Sequence, residues 1–121
     1  MFNPDFVLLY VNSPEASAVF YQKILGIAPV ELSATFALFK SESGLKLGLW
    51  AKNTVEPAAL ACGGGAELAF ALNDVAAVDD LYARWSVLTI IQKPVQMDFG
   101  YTFVATDPDQ HRLRVYALNA G

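Results

Sequence analysis

The sequence predicts an α+β fold made of two copies of one β-α-β-β-β module, and three observations carry that expectation. Short β-branched and aromatic runs alternate with two stretches that have helical apolar spacing. The pattern restarts after a Pro- and Gly-containing segment in the middle of the chain. Stretches of the second half lie on stretches of the first at fixed offsets, which makes the halves an internal repeat. A chain of 121 residues suffices for one sizeable core. The expected organisation is one domain over residues 1–121, with a module at 1–52, a linker at 53–66 and a module at 67–121.

Each element has a local reason. Phe6 to Val11 (FVLLYV) reads as a strand that stops at Asn12. Ser13, Pro14 and Glu15 then supply a capping hydroxyl, a residue whose missing N–H costs nothing at the first helical position, and an acid suited to the positive helix end. The spacing of Ala16, Val19, Phe20 and Ile24 predicts the buried stripe, and Gly26 the C-cap. Pro29 to Leu32, Thr35 to Lys40 and Leu45 to Trp50 read as strands, with Ser33-Ala34 and Ser41 to Gly44 as turns. Asn53 to Ala66, with Pro57 and Gly63 to Gly65, reads as the linker. Leu68 to Leu72 is the next strand, Asn73-Asp74 the cap, and Val75, Val78, Leu81, Tyr82 and Trp85 the stripe of a second helix. Leu88 to Gln92, Tyr101 to Thr106 and Arg112 to Leu118 complete the second module.

The repeat is checked by offset. Phe6 to Ser13 lies on Glu67 to Asp74 at a shift of 61 residues (6 to 67), so the two Asn residues and the two helix caps coincide. Lys46 to Trp50 lies on Arg112 to Tyr116 at a shift of 66 (46 to 112). The extra residues in the second module fall most simply in the Pro94 to Gly100 loop.

Composition narrows the function. With 8 Lys+Arg against 12 Asp+Glu and a pI near 4.7, the chain lacks the basic balance that phosphate-backbone binding requires. One Cys permits no intrachain disulfide, and one His with one Cys removes the His/Cys zinc patterns. The longest apolar runs are far shorter than the roughly 18 residues of a membrane span. No basic residue precedes Lys23, so no secretory leader is expected and the expected location is cytoplasmic. The 55% apolar content must then serve a full core, a subunit interface or the lining of a cavity.

Two segments add a resemblance. Tyr10-Val11-Asn12-Ser13-Pro14 leading to Phe20-Tyr21-Gln22-Lys23-Ile24-Leu25-Gly26, and Phe103 to Leu113 with its Asp107-Pro108-Asp109-Gln110-His111 turn, resemble the vicinal oxygen chelate superfamily of glyoxalases, extradiol dioxygenases and bleomycin-type resistance proteins. Gln110 departs from the Gly usual there, which makes a positive φ less comfortable. The resemblance implies that the modules form a curved, barrel-like mixed sheet around a cavity, the glyoxalase/bleomycin resistance fold. It also implies a homodimer in which the linker lets modules pair within a chain or exchange between chains. The superfamily's metal enzymes place ligands on the first and last strands of each module, and those positions project onto Phe6, Gly48, Glu67 and Arg114. Phenyl, hydrogen and guanidinium are not metal donors and one carboxylate is too few, so no metal and no cofactor is expected. The loss disfavours a glyoxalase-like metalloenzyme, whose chemistry uses the ion as Lewis acid.

Strand alternation sorts the remaining wall. It sends Phe6, Leu8 and Tyr10, Gly48 and Trp50, Glu67, Ala69 and Ala71, and Arg112, Arg114 and Tyr116 to the cavity, with Phe39, Tyr101 and Phe103 as further aromatic lining. Rings with a few charged groups suit a flat ligand, partly polar or cationic. Glu67 either meets a ligand cation or is paired with Arg114, since a buried carboxylate with neither partner is costly.

Other residues have plainer uses. His111 in its Asp-Pro-Asp-Gln-His turn reads as structural or solvated rather than as part of a triad. Asp107 and Asp109 read as turn chemistry, not as an acid/base pair. Gly63 to Gly65 precedes a strand, lacks a following helix, and reads as a hinge. Cys62 has no cationic neighbour to make it a thiolate. Tyr82 and Trp85 are packing residues, and the aromatic wall itself has a core-filling alternative.

The expectation is therefore a non-enzymatic protein that sequesters a small aromatic molecule, an antibiotic by resemblance, in the bleomycin-resistance manner. One alternative is a metal-independent lyase or isomerase with Glu67 as general base and Arg114 as electrostatic stabiliser. Another is an interaction module with a filled cup.

Overall fold

In the computed structural model, which describes residues 1–120, the chain divides into two compact units, Met1–Gly63 and the residues from Gly64 on. The boundary falls inside the expected linker. In the first unit, strand β1 (Phe6–Val11) leads to helix α1 (Pro14–Leu25), followed by β2 (Glu31–Leu32), β3 (Phe36–Lys40) and β4 (Lys46–Ala51). The sheet order is β1-β4-β3-β2, with β1 parallel to β4 and the other pairs antiparallel. A 3-10 turn at Lys52–Thr54 closes the unit's regular structure.

The α1 caps are those the sequence predicts. Ser13 is extended and its hydroxyl accepts from the Ala16 N–H at 3.2 Å, Pro14 stands in the first turn, and left-handed Gly26 donates its N–H to the Gln22 carbonyl at 3.0 Å. The buried stripe differs from the expected one. Pro14, Ser17, Ala18 and Tyr21 are buried, whereas Val19 is 59% exposed. Small Ser17 and Ala18 let the helix approach β3 and β4 closely, and the large Tyr21 ring fills the space beyond them. A reading by hydrophobicity alone passes over Ser17.

The second unit repeats the plan with β5 (Glu67–Ala71), α2 (Val75–Arg84), β6 (Thr89–Gln96), β7 (Gly100–Thr106) and β8 (Arg112–Leu118), in sheet order β5-β8-β7-β6. Asp74 caps α2 by accepting from the Ala77 N–H at 2.8 Å. Here the expected stripe faces the sheet except at Val75, which is 48% exposed. Val78 and Trp85 are buried, and Trp85 meets Phe70 and Phe103 edge-on at 5.6 and 5.9 Å between ring centroids. Such ring pairs add about 0.5 to 1.5 kcal/mol each beyond the area they bury.

The repeat extends to the pairing register. Phe6 faces Lys46 across β1 and β4, and their repeat equivalents Glu67 and Arg112 face each other across β5 and β8. The 61-residue shift holds as far as Glu31 and Gln92, which face the equivalent residues Leu38 and Val104. Beyond them the shift becomes 66, so the insertion lies in the β6-β7 hairpin. β6 runs further than expected, through Pro94 to Gln96, with register irregularities on either side of Gln92. Pro94, which has no N–H to give a ladder, falls in the irregular stretch between Gln92 and Val95 on this edge strand, where a proline is tolerated. No helix among the described residues is long and apolar enough to cross a membrane.

Candidate functional site

Alternation along β5, β7 and β8 gives the second unit two chemically different faces. Leu68, Phe70, Phe103, Leu113 and Val115 lie on the α2 side, as the Phe70, Trp85, Tyr82 and Phe103 ring contacts show. The opposite face carries Glu67, Thr102, Val104, Thr106, Arg112, Arg114 and Tyr116.

Arg114 organises that face. Its Nε donates to Glu67 Oε1 at 2.6 Å and one terminal nitrogen to Glu67 Oε2 at 3.0 Å, a bidentate pair. The other terminal nitrogen donates to Gln92 Oε1 at 3.1 Å and to Thr102 Oγ1 at 3.2 Å. Thr102 is itself fixed, since its hydroxyl donates to the Val115 carbonyl at 2.7 Å. The guanidinium is thereby held in one orientation by β5, β6 and β7 together. The hydrogen bond from Arg114, aided by the charges of Arg114 and Arg112, holds the Glu67 carboxyl below its ordinary value of 4.5 against an opposing effect of burial. Arg112 stands 3.9 Å from the same carboxylate and its side chain is 47% exposed. One carboxylate between two guanidinium groups leaves this cluster with a net charge of about +1.

An open cavity of about 520 Å³ adjoins the cluster. Arg112, Arg114, Gln92 and Thr106 give it polar groups, Ile91 and Val104 give it an apolar wall, and Gly64 and Gln110 complete the lining. The volume lies within the usual range of a small-molecule site, while the lining is more polar than is usual for one.

The structure gathers only some of the residues expected at a ligand. Glu67, Arg112, Arg114 and Tyr116 share one face of the second unit, where Tyr116 meets Phe99 edge-on at 6.3 Å and the Arg114 guanidinium lies 6.0 Å from the Phe99 ring centre. Phe6, Tyr10 and Trp50 share the corresponding face of the first unit, where the Tyr10 and Trp50 rings meet edge-on at 6.3 Å. Phe39, Tyr101 and Phe103 lie on the opposite, helix-facing sides. Phe39 faces buried Leu47 across β3 and β4, and Phe103 packs on Tyr82 and Trp85. The Tyr101 hydroxyl donates to Asp79 on α2 at 2.8 Å, and that bond raises its pKa above the ordinary 10.0. The aromatic character of these three suggested lining, but antiparallel register decides the face. Gln92, Thr102, Thr106 and Gln110 were missed. The alternation of Thr102, Val104 and Thr106 against Arg112 and Arg114 was the signal that could have found the two threonines.

His111 is part of the turn. Its Nδ1 lies 2.8 Å from Asp107 Oδ2, while Asp107 Oδ1 accepts the N–H groups of Asp109 and His111 at 2.8 and 2.9 Å. A buried carboxylate thus gathers the loop between β7 and β8.

The positions where the superfamily's metal enzymes carry ligands do not fit an ion. In the first unit, Phe6 has no donor atom, and a Cβ at Gly48 would fall 2.8 Å from both Leu8 Cδ2 and Phe6 Cε1, so even the start of a ligand side chain meets occupied space. In the second, Glu67 is committed to Arg114, itself a cation. Among the described residues, no group of three or more His, Cys, Asp or Glu side chains stands together to hold a metal.

Two β-α-β-β-β units with this strand order and register define a class, and the sequence agrees with it. The chain belongs to the Glyoxalase/Bleomycin resistance protein/Dioxygenase superfamily, whose family model matches residues 3–115. Among individual proteins, it is 30% identical to the phenazine antibiotic resistance protein EhpR of Enterobacter agglomerans, across 96% of this chain and 92% of that one. It is 52% identical to an Agrobacterium tumefaciens protein whose structure was solved by NMR in solution, with a TM-score of 0.89 over 99% of this chain and 100% of that one. A glyoxalase-related enzyme of Fulvimarina pelagi shares the fold at 21% identity, with a TM-score of 0.85 over 97% of this chain and 88% of that one.

Proposed function

We propose that the protein binds a flat aromatic molecule bearing a carboxylate or comparable acceptor, of the phenazine type, and sequesters it without converting it. The observation that carries this reading is the Arg114 cluster. Glu67 is already neutralised by a bidentate guanidinium, so the charge left over at the cavity is the positive one of Arg112. That favours an anionic ligand group over the cationic one the composition first suggested. Ile91 and Val104 offer the apolar wall for the ring system, and Tyr116 adds an aromatic face nearby. The resistance role of the 30% identical relative supports a phenazine-like scaffold.

The catalytic alternative fits less well. A general base works best with a pKa near the operating pH, whereas Glu67 is held below the ordinary carboxylate value and both its oxygens already accept hydrogen bonds.

Calorimetric titration with phenazine-1-carboxylate, alongside unsubstituted phenazine, tests the reading. The carboxylate is expected to bind at least tenfold more tightly than phenazine, with an affinity that falls as salt rises. Arg112→Ala is expected to weaken it by about ten- to a hundredfold, the worth of one charge-assisted hydrogen bond. Equal affinity for the two probes, or an unchanged affinity in Arg112→Ala, overturns the proposal.

A further inference from the structure

The turns from Ser41 to Leu45 and from Asp107 to His111 are one turn used twice, 66 residues apart. In each, the first residue's N–H donates to the fifth residue's carbonyl, at 3.0 Å in both copies. In each, the fourth residue's N–H returns to the first residue's carbonyl, at 3.1 Å from Gly44 and 3.2 Å from Gln110. That fourth residue is left-handed both times, with φ of 94° at Gly44 and 72° at Gln110. Glycine takes this conformation freely, while any Cβ opposes it. Among the described residues Gln110 is the one non-glycine with positive φ.

Nothing inside the protein rewards the side chain for that strain. Gln110 is exposed, its backbone N–H serves the turn as Gly44's does, and its side-chain amide has no hydrogen-bond partner among the described residues. What distinguishes the second copy is its surroundings, since Gln110 lines the cavity with Arg112 and Thr106. Strain kept without internal compensation beside a cavity points to a role toward what enters it.

We propose that Gln110 is a specificity-determining contact whose amide reads a second polar substituent on the aromatic acid held by the arginines. The inference rests on the function proposed above and extends it. An amide offers both a donor and an acceptor, so it suits a neutral substituent with the same pair, such as a carboxamide. The ligand class becomes an aromatic acid that carries a neutral hydrogen-bonding group in addition to its carboxylate.

The test compares phenazine-1-carboxylate with 6-carbamoyl-phenazine-1-carboxylate by calorimetry, in the wild-type protein and in Gln110→Gly, with melting temperatures recorded for both. Wild type is expected to prefer the carbamoyl compound by about tenfold, the worth of a well-made hydrogen bond. Gln110→Gly is expected to lose that preference while melting at the same or a higher temperature, because the strain is relieved. A wild type that binds both compounds equally, or a Gln110→Gly variant that keeps the preference, overturns this inference and leaves the function proposal standing. A wild type that binds neither overturns both.

Discussion

The two units are the same backbone carrying different chemistry. Facing pairs recur from one to the other: Phe6 and Lys46 become Glu67 and Arg112, and Leu8 and Gly48 become Ala69 and Arg114. Across the next strand, Phe36 and Leu38 become Thr102 and Val104. In the first unit the result is an apolar surface in which Leu8, Phe6 and Phe36 crowd over Gly48. In the second, smaller residues beside Arg114 leave room for a fixed guanidinium and an open cavity. A duplicated fold therefore need not duplicate a site. Register keeps the positions equivalent, and side-chain volume and charge at a few of them decide which copy has space and polarity for a ligand.

The helix-facing sides differ as well, and the largest expected effect lies there. Phe103 occupies the place that Ala37 holds in the first unit, and both are fully buried. Phe103→Ala removes the ring that joins Tyr82 to Trp85 and is expected to cost about 3 to 5 kcal/mol in denaturant unfolding. A loss below 1 kcal/mol would return Phe103 to the ligand-lining role its sequence first suggested. The second test moves the charge across the repeat. Gly48→Arg places in the first unit the residue that organises the second, but there its Cβ meets Leu8, Phe6 and Phe36, and Phe6 stands where the second unit has Glu67. This overpacking is expected to destabilise by about 1 to 3 kcal/mol. Unchanged stability would mean that the two faces are less different than their residues indicate.

A smaller effect isolates the Glu67 pair, which the first unit lacks because Phe6 stands in that place. The folded pKa of Glu67 lies below 4.5, so the pair's contribution is fully present above that value and is lost as pH falls through the lower folded value. The carboxylate side chain is 30% exposed and solvent screens it, which limits the contribution to about 1 kcal/mol or less. The stability difference between wild type and Glu67→Gln is expected to shrink as pH is lowered from 7 to below 4. A difference that grows on acidification would contradict the pairing.

Much of this was legible in the residues themselves. Ser13, Pro14, Gly26 and Asp74 mark helix ends by local chemistry that tertiary contacts do not alter, and the two offsets carried the repeat down to its register. The α1 face was misplaced because Ser17 is buried for its small size, which hydrophobic spacing does not register. Phe39, Tyr101 and Phe103 were misplaced because an aromatic ring suits a core as well as a cavity, and only the pairing of β3 with β4 and of β7 with β8 separates the two. Alternation places Glu67 and Arg114 on one face, but whether the carboxylate pairs with Arg114 or waits for a ligand is decided by side-chain geometry across β5 and β8. The cavity and the left-handed Gln110 beside it depend on volumes and dihedrals that no pattern of residue types contains.

The central claim is that the second unit, not its structural twin, provides the charged part of the ligand site. Titrating ¹⁵N-labelled protein with phenazine-1-carboxylate tests it directly through amide and arginine side-chain chemical shifts. The account predicts saturable shifts that are largest at Gln92, Thr106, Gln110, Arg112 and Arg114. Saturable binding that leaves these five unmoved would contradict it.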